Sequence, residues 1–128
     1  MENLAYRIES DKPFDTVVDN LQTQTVNNHF RVLHIHDVQA TLAEKGLERG
    51  PLKIIEVCNA GFAHKVLRKE QNVALFMPCK FVVCTEGGKT VVTLARPMMI
   101  SQMMPGVGLD ELAADVEVTL KRVMEASV

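Results

Sequence analysis

The chain has 128 residues, 47% of them apolar and 23% charged, which suits one domain with a buried core and leaves little room for disorder. Fourteen basic residues against sixteen acidic ones give a net charge of −2, so no basic excess exists to neutralise nucleic-acid phosphates. There is no run of eighteen apolar residues and no basic-then-apolar leader. Together with an odd count of three cysteines, this predicts a cytoplasmic protein without a membrane partner or a disulfide framework.

Residues 3–9 (NLAYRIE) alternate weakly and predict a first strand. The period changes in SDKPFDTVVDNLQTQTV, where Phe14, Val17, Val18 and Leu21 form one helical stripe after Pro13. HFRVLHIHD returns to a strand, and Asp37 is an N-cap for a short helix, VQATLAEK, stopped by Gly46. LKIIEVC predicts a third strand. Asn59 then caps a second helix whose buried side is read as Ala63, Val66 and Leu67. VALFMPCKFVVCTE and TVVTLAR flank Gly87-Gly88 as the two arms of a hairpin, with Pro78 bending the first arm or marking a sheet edge. From Leu109, apolar residues at 112, 113, 116, 120, 123 and 124 continue the clearest amphipathic helix of the chain. The order β-α-β-(short α)-β-α-β-β-α predicts one α+β domain over residues 1–128, a mainly antiparallel sheet with helices on one face.

Three groups of residues can carry chemistry. Cys58 precedes a helix cap, where the positive end of the helix dipole lowers a thiol pKa, although a free cysteine also packs well as a small hydrophobe. Cys79 starts a strand, and Cys84, five residues on, faces the other side of the sheet. His34 and His36 form an H-x-H on one strand face. They are two more potential ligands for a soft transition metal such as copper or zinc, or simply two exposed imidazoles. PMMISQMMP, with four methionines between Pro97 and Pro105, reads as gap-filling in a loop or short helix. No phosphate-binding glycine loop, HExxH or GxSxG occurs.

Phe14-Asp15-Thr16, the run from Asp37 to Gly46, Cys58-Asn59 and Pro78-Cys79 occur in the order seen in a bacterial and archaeal family, domain of unknown function 302. Over residues 6 to about 105 the chain resembles that family. Ala60 replaces a proline after Cys-Asn, Arg96 replaces the aspartate of an Asp-Pro pair, and His36 stands where an aliphatic residue is usual. The resemblance implies a TATA-box-binding-protein-like α+β fold and a homodimer, and it implies no activity. The expectation is a homodimeric binding domain with a small-ligand or metal site near Cys58, Asn59 and Cys79, with Asp37 a further ligand-binding residue. A thiol-dependent enzyme with Cys58 as nucleophile and a purely structural interaction protein are the competing classes.

Overall fold

Period-two alternation in five segments builds the centre of the computed structural model, in which residues 3–128 are described. Strands β1 (Ala5–Ser10), β2 (Arg31–Asp37), β3 (Leu52–Cys58), β4 (Cys79–Glu86) and β5 (Lys89–Ala95) form one antiparallel sheet. They lie in the order β1-β5-β4-β3-β2. Helices α1 (Phe14–Asn27), α2 (Val38–Ala43), α3 (Ala60–Lys69), α4 (Met98–Met103) and α5 (Asp110–Ser127) fill the connections. The chain is therefore an α+β fold, as its sequence predicts. No described helix is long and apolar enough to cross a membrane.

One face of the sheet carries Ile55, Val57, Phe81, Val83, Val92 and Leu94, all buried. Against it pack Val17, Val18 and Leu21 of α1 and Val116, Leu120, Val123 and Met124 of α5, at the three-and-four spacing that puts them on one helix side. Gly87 and Gly88 have φ of 57° and 81°, the left-handed pair that a two-residue hairpin needs between Glu86 and Lys89. The first helix ends differently. His29 takes a φ of 66°, Phe30 N–H donates to the Thr25 carbonyl and His29 N–H to that of Val26, which is a Schellman stop with histidine where glycine is usual.

Three expectations need correction. Val73 to Phe76 does not join the hairpin arm. It belongs to a 3-10 turn, Gln71–Phe76, opened by the Glu70 carboxylate accepting from Asn72 N–H at 2.9 Å. The Met77–Pro78 bond is cis, and β4 begins only after it, as an interior strand between β3 and β5 rather than a sheet edge. In α3 the inward residues are Phe62, Ala63 and Val66, whereas Leu67 is 37% exposed.

Candidate functional site

Cys58 is the last residue of β3 and Cys79 the first of β4. Val57 lies directly opposite Cys79, so Cys58, one residue further on, lies at the same end of the sheet, near enough to influence the Cys79 thiol electrostatically. Both are free and half-buried. Asn59 fixes the turn beside them. Its Oδ1 accepts from Phe62 N–H at 3.0 Å, capping α3, and its Nδ2 donates to the His29 carbonyl at 2.9 Å. The expected trio of Cys58, Asn59 and Cys79 is therefore local in space.

Two features of the fold oppose the acidification expected of Cys58. Asn59 already occupies the Phe62 N–H of the first turn, and burial pushes the Cys58 thiol above its ordinary value. Cys79 packs against the core, and burial first, with the Cys58 charge second, pushes its pKa up to about 11. Cys84 lies on the opposite face of the sheet, opposite Val91, and is raised by burial and then by Glu86.

The other predicted ligands do not join the two cysteines in one metal-holding group. Asp37 is at the far end of β2, six residues along the strand from the pairing of Arg31 with Cys58, or roughly 20 Å at the rise of an extended chain. There it caps α2, accepting from Ala40 N–H at 3.0 Å. It is a structural cap and not part of the cysteine site. A bulge between Val32 and His34 turns Val32 and Ile35 inward and sends both histidines to the outer face. Their ring centroids are 4.4 Å apart, and His36 Nε2 is 3.2 Å from Glu56 Oε1. Cys58, Cys79, His34 and His36 do not converge as one set. Among the described residues no group of three or more His, Cys, Asp or Glu side chains is placed to hold a metal ion.

A feature that the sequence reading passed over joins Cys79 to a cleft. Leu75, Phe76, Met77 and Pro78 form one wall, Pro97, Met99, Ile100 and Met103 another, with Lys80 and Arg96 beside them and a volume of about 420 Å³. Cys79, Pro97 and Ile100 also stand in the wall of a smaller pocket of about 60 Å³ that runs under Val66, Leu109 and Val116. Met99 and Met103 are one helical turn apart, so both meet the cleft from α4. That i, i+4 spacing within PMMISQMMP was the available signal. A larger concavity, about 660 Å³, lies between α2 and residues 46–50, but every residue around it is solvent-exposed. It is a fold in the surface, at the other end of β3 from Cys58 and Cys79, and the Cys79 cleft is the better-formed candidate.

A sheet backed by α1 and α5, with a sulfur-lined apolar cleft at one end, defines a small α+β domain of the sheet-and-helix class. The chain belongs to the family described as domain of unknown function DUF302, which it matches over residues 6–127, so the likeness extends through α5. It is similar to the crystal structure of an uncharacterized conserved protein DUF302 from Bacillus stearothermophilus, with a TM-score of 0.92 at 32% sequence identity over 98% of each chain. No curated protein matches the chain.

Proposed function

We propose that this chain is a small-ligand-binding domain, homodimeric in solution, whose ligand seats in the cleft edged by Cys79. The observation that carries this reading is the composition of the cleft. Leu4, Leu75, Phe76 and Met103 all line it, and all four are exposed large hydrophobic side chains. Apolar surface gathered into a concavity of this size is the usual form of a ligand site, whereas scattered exposed leucines need no explanation. Cys58 and Asn59 lie outside the cleft lining, Cys58 acting on Cys79 through its charge and Asn59 holding the turn.

The competing readings ask more of the thiols. A nucleophilic cysteine or a soft-metal ligand works as the thiolate, and burial holds Cys58 and Cys79 toward the protonated form. An apolar ligand requires no charge there. The test is titration with Nile red, a neutral apolar dye. Saturable one-to-one binding with a blue-shifted emission is expected, lost in Met103→Asp. Absence of any saturable dye binding would count against the ligand-binding reading.

A further inference from the structure

We infer that the cleft beside Cys79 takes an amphipathic monoanion, an unbranched alkyl chain ending in a carboxylate, with Lys80 as the partner of the charged head. This inference rests on the binding reading above and names the ligand class for the same cleft.

The two basic residues of the cleft, Lys80 and Arg96, are held differently. Arg96 Nε donates to Glu117 Oε1 and a second guanidinium nitrogen donates to Oε2, each at 3.1 Å, so its charge is matched. Lys80 is different. Its opposite number across the ladder is Glu56, but the Glu56 carboxylate turns to His36 at 3.2 Å. Among the described residues Lys80 makes no ion pair, and its ammonium is close enough to act on the Cys79 thiol. A half-buried lysine with no direct ion pair, the carboxylate across the ladder being engaged by an imidazole, keeps ammonium donors for one carboxylate head at the edge of the cleft.

The rest of the cleft suits an alkyl chain. Its walls are leucine, phenylalanine, isoleucine, proline and thioether, and the methionines adapt to a flexible chain better than branched side chains do. The pocket beyond Cys79 is bounded by valine, leucine, isoleucine, proline and alanine together with the weakly polar thiol. A space so lined gives water almost no hydrogen-bond partners and so favours a hydrocarbon end.

The experiment is calorimetric titration of the full chain with hexanoate, octanoate, decanoate and decanol. Affinity should rise about fourfold for each added methylene, the fold-change that corresponds to burying one CH₂. Lys80→Met should weaken decanoate about tenfold, as expected for loss of a charge-assisted contact, and leave decanol unchanged. Met103→Asp and Leu75→Asp should abolish binding of both. Those side chains are 57% and 77% exposed, so the variants retain the core, and circular dichroism checks this. Affinity independent of chain length, or a Lys80→Met variant that binds decanoate as the native chain does, overturns the inference. So does a dimer that Leu75→Asp converts to monomer, which would make a second copy the occupant of the cleft. Nile red binding without carboxylate binding sinks this inference alone, and loss of both sinks the binding reading with it.

Discussion

Asn59 shows how a single side chain can be fully employed by structure while standing inside a candidate site. One end of its carboxamide caps α3 and the other holds the carbonyl of His29, the residue that carries the left-handed φ of 66°. Replacing it with alanine removes a cap and a tertiary hydrogen bond, with an expected loss of about 2 kcal/mol from the sum of two such contributions. Asn59→Asp keeps the acceptor and loses only the donor, so its urea midpoint should fall between those of the native chain and Asn59→Ala. Cys58 behaves according to the same geometry. With burial raising its pKa, alkylation by iodoacetamide should have a midpoint above the ordinary free-thiol value of about 8.5. Cys79, held at about 11, should be the slowest of the three. A Cys58 midpoint below the ordinary value would restore the poised-thiolate reading that the residue's position in sequence suggests.

At the scale of elements, one carboxylate ties three of them together. Glu117 of α5 meets the Arg96 guanidinium just beyond β5, accepts from Met98 N–H at the start of α4 at 3.4 Å, and has Lys121 Nζ 3.6 Å away. Burial alone would raise its pKa, but the Arg96 pair, the Met98 N–H and Lys121 together hold it below the usual 4.5. A pKa lower in the folded chain than in the unfolded one contributes stability above about pH 4.5 that is lost as pH falls through the folded value. Glu117→Gln should therefore lower the unfolding free energy at pH 7 by about 2 kcal/mol and flatten the acid limb of the stability profile. Equal acid sensitivity in both chains would show that another carboxylate governs that limb. The replacement of aspartate by Arg96 was legible in sequence, whereas its partner, 21 residues away, was not. The long helix, the Gly87-Gly88 hairpin and the caps at Asp37 and Asn59 were legible because each is a local pattern. What escaped is set by contacts between elements. Val73 to Phe76 has the composition of a strand, yet the Glu70 cap and the start of the ladder at Cys79 leave it as a 3-10 turn. The bulge at Val32 depends on the register against β3, which no stretch of β2 encodes alone. The cleft required the methionines of α4 to be brought beside Met77 and Cys79, a meeting of segments about twenty residues apart.

For the whole molecule, the sheet face opposite α1 and α5 decides whether the chain stands alone. It carries Leu52, Ile54, Val82 and Cys84 near its middle, all half-buried, and Val91, which is 1% exposed. An antiparallel sheet with one wet face would alternate to polar residues there. Around this patch, Arg7 pairs with Glu9 at 3.0 Å and Glu86 at 2.8 Å, and Glu56 with His36. Such a rim of both signs is compatible with a twofold axis, which sets a patch against its own copy and lets each basic group face an acidic one. The area sets the strength. Five strands about 4.8 Å apart and about 20 Å long present roughly 500 Å² in projection, less than the ~800 Å² per partner of a standard stable interface. A second copy on this face should therefore bind reversibly, with dissociation in the micromolar range rather than the nanomolar. Light scattering over a dilution series is expected to move from about twice the 14.2 kDa chain mass toward the chain mass itself. Val82→Lys, on the outer face between Ile54 and Thr93, should shift that transition to higher concentration without loss of helical signal. The carboxylate cleft supplies the control, because Leu75→Asp lies in the cleft rather than on this face and should leave the dilution curve unchanged. A mass of 14.2 kDa at every concentration, native and variant alike, would show that the half-buried apolar residues of this face are covered adequately within one chain.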